Sequence, residues 1–270
     1  MKKVTWPLPI LFVISVLWGI PALGMFITSI RPITEIVRGW WTLQPLTLTA
    51  ENYLNAWTRY HFGKAFLVSL ILSGSSTLIP LLLSSAAAYA FHFLRFPGRK
   101  LSLLLITSAY VLPNQVLIIP LLKLWRQVGF SDHLVSVIIP QVGLSFAWSI
   151  FLVRSFLIGF PKDLLDAAKI DGAGNFRIYW NIVLPNSLTP LMSVAILQFL
   201  WTWNDLLFPL IFLQSDIPLI MAIARMRATH DPQWELVSAG TVILTIAPMI
   251  VFIFLQRYFT EGLSRSGAEK

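Results

Sequence analysis

The chain holds few residues able to make or break covalent bonds. His61, His92, His133 and His230 are scattered and mostly lie at the edges of apolar runs, no H-E-x-x-H or G-x-S-x-G pattern occurs, and there is no cysteine. The serines and threonines crowded into 69–85 have no base beside them and suit helix contacts in lipid. An intramembrane protease or lipid-modifying transferase is therefore a weak reading. No G-x-x-x-x-G-K-[ST] phosphate loop is present either, so the expectation is a non-enzymatic chain with no metal or cofactor of its own.

Two other groups suit recognition and movement. Trp201, Trp203, Asn204 and Asp205 stand together in an apolar run. An ionisable side chain at membrane depth is costly and faces either a partner helix or a wet cavity. Aromatic faces beside amide and carboxylate groups also match the C–H faces and hydroxyls of sugars. The second group lies in 161–185. Pro161 suits a first helical position, Asp163 complements the positive helix end, and good helix formers run from Leu164 to Ile170 before Gly172 and Gly174 stop the helix. A second short helix starts near Asn175 and runs into Pro185. In this exposed helix, glycine turn and helix, Ala167 and Ala168 stand beside charged neighbours, and a short helix of this kind can dock in a partner's groove with the turn as a rigid corner. Both Ala167 and Ala168 are expected outward, because methyl-sized side chains let another backbone approach closely.

The elements that must carry these groups are membrane helices. Of 270 residues, 56% are hydrophobic and only 12% charged, about half the charge of a soluble domain; mean hydropathy is +0.74. Apolar runs near 8–30, 65–91, 101–122, 134–160, 187–213 and 236–259 each approach or exceed the ~20 residues of a bilayer span. The expected fold is thus an all-α integral membrane protein of six transmembrane helices, one domain over 1–270, with the 161–185 corner between spans four and five. The run after Lys2 and Lys3 is too long for a signal peptide and is kept as the first span.

A net charge of +8 and a pI near 10.0 reflect basic residues flanking the spans, with no stripe for nucleic acid. With both termini inside, the inner segments hold 12 Lys and Arg against 8 outside, and the short loop with Arg95, Arg99 and Lys100 is strongly basic. Cytoplasmic termini and a cytoplasmic 161–185 corner follow. Outside, Thr49 should cap a surface helix reaching about Trp57, with Trp40, Trp41, Trp57 and Tyr60 at headgroup level. The segment 215–235, with Arg225, Arg227, His230, Asp231 and Pro232, should fold as a helix at the membrane surface. Pro21, Pro80, Pro113, Pro120, Pro140, Pro209 and Pro248 fall inside spans, so each missing donor needs a neighbour, hydroxyl or water to compensate.

Asp166-Ala167-Ala168, Gly172, Ile182 and Leu184-Pro185 reproduce the spacing of the EAA loop of ABC-importer permeases, a match expected by chance on the order of once in ten thousand sequences. Asp166 stands where that loop usually has glutamate. Thr49-Ala50-Glu51-Asn52-Tyr53, Ala87-Ala88-Tyr89-Ala90-Phe91, Phe96-Pro97-Gly98-Arg99, Leu112-Pro113, Ile119-Pro120-Leu121, Trp203-Asn204-Asp205, Gln256-Arg257-Tyr258-Phe259 and Gly262-Leu263 resemble the maltose-type carbohydrate permeases, specifically the smaller, second permease. The Gly267-Ala268-Glu269-Lys270 tail departs from that pattern at Glu269.

The resemblance implies one half of a translocation pathway for a sugar or polyol in a bacterial or archaeal plasma membrane. It also implies a second, different permease, two cytoplasmic subunits that bind ATP and Mg, and an external solute-binding protein. Asp166, Ala167, Ala168, Asp171, Gly172 and Ala173 would be the ATPase-coupling site, and Trp201, Trp203, Asn204 and Asp205 part of the pathway. A glycerol phosphate ester is the alternative solute. An ion-coupled carrier is a further alternative, disfavoured because only Asp205 is clearly buried in a span and no internal repeat occurs.

Overall fold

A computed structural model describes residues 7–42, 44–111, 113–227 and 233–267, with side chains from 9 to 258. Leu112, His230, Asp231, Pro232 and the tail 268–270 lie outside the described residues. The described residues are helical and contain no strand. Helices α1 (Pro7–Ser29), α2 (Ile33–Ile36), α3 (Glu51–Thr58), α4 (Phe62–Phe93), α5 (Arg99–Ser108), α6 (Ile118–Val128) and α7 (Val135–Leu157) lead to the corner. The corner is built from α8 (Lys162–Ile170), α9 (Asn175–Ile178), a π-turn over Tyr179–Val183 and α10 (Leu184–Asn186). After it come α11 (Leu188–Trp203), α12 (Leu207–Phe212), α13 (Leu219–Arg227) and α14 (Trp234–Gly267).

Among the described residues four helices are long and apolar enough to cross a bilayer, and up to six spans result if each of two bent pairs counts as one. The expected spans at 8–30, 65–91, 134–160 and 236–259 are α1, α4, α7 and α14 within a few residues, except that α14 runs on to Gly267. The third expected span, 101–122, is broken: Arg99–Ala109 and Asn114–Val128 meet at 93°. Pro113 is extended there (ψ 130°) and leads into a 3-10 turn over Asn114–Leu117, since a proline that lacks an N–H disfavours an uninterrupted helix through it. The fifth is also shorter than expected. α11 ends at Trp203, and Asn204 and Asp205 occupy a break before α12.

The prolines divide into two kinds. Pro120 and Pro209 lie in the first turns of α6 and α12, where an N–H has no helical acceptor anyway. Pro80 and Pro140 lie inside α4 and α7 and leave the carbonyls four residues earlier without a helical donor. Both carbonyls are filled from a neighbouring segment: Gln198 Nε2 donates to Ser76 O at 3.2 Å, and Trp125 Nε1 donates to Ser136 O at 3.1 Å. In lipid, where no bulk water is available, such donors fasten helices together at the point where the ladder is interrupted.

The chain divides into two compact units, Met1–Leu67 with Leu219–Ala247, and Val68–Pro218 with Pro248–Lys270. In the first, Arg31 is fully buried and pairs with Glu35 at 2.9 Å. Its guanidinium also donates to the carbonyls of Trp40, Thr42 and Pro45 at 3.2, 2.7 and 2.9 Å. Asn52 donates to the carbonyls of Ser29 and Arg31, both at 2.9 Å. Hydrogen bonds from the Thr47 side chain and backbone, together with the Arg31 cation, hold the Glu35 carboxyl below the usual carboxylate range against the opposing effect of burial.

The expected outer helix exists as α3, but Ala50, one residue later than expected, occupies the cap position; the Thr49 hydroxyl accepts from Glu51 N–H at 3.1 Å. In the same unit α13 buries Leu219, Met221 and Ile223. Gly240 lets the Phe62 ring and Ile223 approach its backbone, where a Cβ would collide with them.

In the second unit one core joins Leu81, Ala88 and Tyr89 of α4, Val153 and Leu157 of α7, Leu165 and Ala168 of α8, Ile178, Tyr179 and Val183 of the corner, and Leu191, Val194 and Ala195 of α11. Tyr179 and Ser85 hydroxyls share a 2.7 Å hydrogen bond, and the Tyr89 and Tyr179 rings lie 5.5 Å apart. The 161–185 corner is therefore packed against the spans that precede and follow it.

Candidate functional site

The corner forms as its sequence dictates, with two corrections. Pro161 is the cap residue and Lys162 the first helical one. More consequentially, Ala168 is 8% exposed and belongs to the core, whereas Ala167 is exposed. The expectation that both alanines face outward is corrected by the way α8 ends. Gly172 adopts φ +77°, Gly172 N–H bonds Lys169 O at 3.0 Å, and Ala173 N–H bonds Ala168 O at 2.9 Å. This paired closure turns the chain back and sets half-buried Ala173 against the same core as Ala168. Asp166 is exposed and pairs with Lys169 at 3.2 Å, and Asp171 is exposed at the turn. The outward strip consists of Leu164, Ala167, Ile170 at 86% exposure and Phe176 at 78%. Phe176 stacks on Trp180 with centroids 6.2 Å apart.

The second group is split by the structure. Asp205 and Trp201 line a cavity of about 440 Å³ within the second unit, whose walls include Tyr110, Asn114, Gln115, Gln141, Ser145, Trp148, Gln198 and Thr202. Trp203 is buried and stacked on Phe199 at 5.4 Å, away from this cavity's lining. Asn204 is exposed and donates to Leu200 O at 2.8 Å in its own helix. Residues 201–205 cannot all face one space where a helix stops, and of the four expected together Trp201 and Asp205 do.

Asp205 Oδ1 accepts from Leu207 N–H at 2.9 Å, which initiates α12, while Oδ2 accepts from Gln141 Nε2 at 2.7 Å. Trp148 Nε1 donates to Gln198 Oε1 at 3.1 Å, and Gln198 Nε2 reaches Ser76 O. The sequence reading missed Gln141, Trp148 and Gln198. An inventory of amides inside apolar runs would have flagged both glutamines, because each such group needs a partner.

At the rim of the second unit, Asp132 at φ +60° binds the segment after α12. Its carboxylate accepts from Gln214 N at 2.7 Å, Ser215 N at 3.1 Å and the Ser215 hydroxyl, while its own N–H bonds Phe212 O at 3.2 Å. Bonds from the Ser215 hydroxyl and then from the Gln214 and Ser215 N–H groups lower the Asp132 carboxyl below its ordinary value.

Apolar spans, a largely apolar cavity edged by amides and a carboxylate, and an exposed helical corner fit a membrane transport subunit. The family described as binding-protein-dependent transport system inner membrane component matches residues 81–265, and this chain belongs to that family. It is 36% identical over 259 residues to the osmoprotective compounds uptake permease protein GgtD of Synechocystis sp., covering 93% of this chain and 87% of that one. It is 33% identical over 258 residues to the arabinooligosaccharides transport system permease protein AraQ of Halalkalibacterium halodurans, covering 92% and 90%. A solved bacterial ABC transporter involved in import of the acidic polysaccharide alginate contains a chain of the same fold, with TM-score 0.67 and 14% identity over 93% of this chain and 94% of that one. The protein is thus an inner-membrane permease of a binding-protein-dependent ABC importer, a transport component.

Proposed function

We propose that this permease forms half of a translocation pathway for a sugar or polyol and is driven through the α8 corner by separate ATPase subunits. The observation that carries the reading is the corner itself. An exposed apolar strip of Leu164, Ala167 and Ile170, continued by Phe176 on α9, rides on α8, whose other face, Leu165 and Ala168, is embedded in the core joining α4, α7 and α11. A force applied to such a strip moves the spans packed against it, and rigid-body rotation then exchanges inward-open and outward-open states.

The assembly we infer has a second, different permease, two cytoplasmic subunits that bind ATP and Mg, and an external solute-binding protein, with both termini of this chain cytoplasmic. Asp166, Ala167, Asp171 and Gly172 lie at or beside the coupling surface, and Ala168 and Ala173 hold it from behind. Trp201 and Asp205 belong to the pathway, with Trp203 as their support and Asn204 at its edge. The sugar reading draws on the arabinooligosaccharides for which the AraQ relative is named.

A cysteine at Ala167 or Ile170 in the assembled importer should cross-link to an ATPase subunit to an extent that changes with nucleotide, and uptake into vesicles should require ATP. A corner labelled only from outside the cell, or uptake that survives its deletion, refutes the coupling.

A further inference from the structure

We propose that the end of α7, the start of α5 and the start of α8 form a binding site for an anionic phospholipid, whose phosphate is held by Arg154, Arg99 and Lys162. The inference starts from Arg154, in the last turn of α7. It stands three residues after Phe151 and four before Ile158, so the three share one face of the helix, and the two apolar side chains are 63% and 64% exposed. A guanidinium set in an exposed apolar stripe of a membrane helix is costly unless an anion meets it. Among the described residues none does. Its Nε is enclosed and has no acceptor, whereas both Nη groups reach accessible surface and have none either.

The fold gathers further cations at the same place. The Phe93 ring meets Phe160 edge-on at 6.0 Å, which sets the end of α4 beside the segment leading into Lys162. Arg99 Nη1 donates to Leu94 O at 2.8 Å, which folds the first residue of α5 back over the end of α4 and leaves the rest of the guanidinium available. The charges of Arg154, Arg99 and Lys162 all reach the His92 ring. Lys162 is exposed and stands three residues before buried Leu165, on the flank of α8 turned away from the outward strip. Among the described residues none of the three cations is in an ion pair.

Like charges brought together repel, so an anion between them relieves that repulsion and gains charge-assisted hydrogen bonds. At the edge of a bilayer a lipid phosphodiester supplies the anion, and basic pockets between membrane helices suit such headgroups. The acyl chains also have a surface to follow. Toward the membrane from Arg154 lies Phe151, and α5, which packs on α7, exposes Leu101, Leu104 and Leu105 beyond Arg99. Phosphatidylcholine offers the same phosphate with its own cation attached, and inorganic phosphate has no chains to lay on this surface.

The assembled importer, stripped of lipid in detergent, is titrated with phosphatidylglycerol and in parallel with phosphatidylcholine, and bound lipid is read by native mass spectrometry. Phosphatidylglycerol should bind at least about fivefold more tightly, the factor expected of one cation at a lipid surface. Arg154→Gln should lower its affinity about fivefold or more, and Arg154→Lys, which keeps the charge, should retain most of it. If Arg154→Gln expresses too poorly to purify, Lys162→Gln at its exposed position serves instead and should weaken phosphatidylglycerol binding in the same direction.

Equal binding of the two lipids, or phosphatidylglycerol binding unchanged in Arg154→Gln, or in Lys162→Gln where that replaces it, would overturn the proposal. Displacement of the lipid by millimolar inorganic phosphate would overturn it in favour of a free-anion site. An Arg154→Gln importer that expresses but releases a partner subunit would assign the guanidinium to a carboxylate of that subunit and overturn it as well.

Discussion

Gln198 and Ser76 are joined across 122 positions of sequence by a side-chain amide that donates to a backbone carbonyl at 3.2 Å. The carbonyl is available because Pro80, four residues on, has no N–H to give it. The proline that interrupts α4 thus creates the acceptor through which α11 is attached, and Gln198 passes the constraint to Trp148 on α7.

Pro80→Ala should restore the helical donor and compete with Gln198 for Ser76 O. Thermal unfolding of the single variants Pro80→Ala and Gln198→Leu and of the double variant should reveal non-additivity of about 0.5–1.5 kcal/mol, the scale of hydrogen bonds between membrane helices. Strict additivity would mean that the bond contributes nothing beyond geometry.

Gly172 sits at φ +77° with open space where a Cβ would fall, so the cost of substitution there is conformational and not a clash. Gly172→Ala should destabilise the corner by about 1–2 kcal/mol, with Gly172→Asn milder because asparagine tolerates this region. ATP-driven uptake should fall in the same order. Equal melting temperatures for all three proteins would contradict the paired closure.

The two alanines of the corner should respond oppositely to enlargement. Ala168→Leu forces bulk into the core with Leu165 and Ile178 and should cost about 1–3 kcal/mol in detergent melts. Ala167→Leu should leave the melt unchanged and weaken co-purification of the ATPase subunits. A reversed pattern would mean that α8 is rotated from the orientation described.

Asp132 gives a pH dependence with a definite sign. Its carboxyl is lowered in the folded chain, chiefly by the Ser215 hydroxyl, so the ionised form is favoured by folding. Its stabilisation is complete above the ordinary aspartate range, near pH 4, and disappears as pH falls through the lower folded value. Melting temperatures of the wild type should therefore drop more steeply than those of Asp132→Ala below about pH 4. Parallel curves would show that the loop before α7 does not depend on this carboxylate to hold the segment after α12.

The apolar runs were legible because a bilayer span needs only length and low charge, and the corner was legible because its glycines and helix formers act locally. Direction was not. Leu164, Leu165, Ala167, Ala168 and Ile170 place apolar groups on both sides of α8, so periodicity could not say which alanine turns inward; the closure at Gly172 and Ala173 decides it. Hydropathy also ran through Pro113 and through Asn204 and Asp205, where the structure breaks the helices, because averaging over a window hides one missing donor or one carboxylate that starts a new turn. The amides of Gln141 and Gln198 gain meaning only from partners 64 and 122 residues away.

Arg31 grips its surroundings largely through main-chain oxygens, those of Trp40, Thr42 and Pro45, with Glu35 its one side-chain partner among the described residues. This one cation therefore pins three separate points of main chain, and the whole turn stands or falls with it.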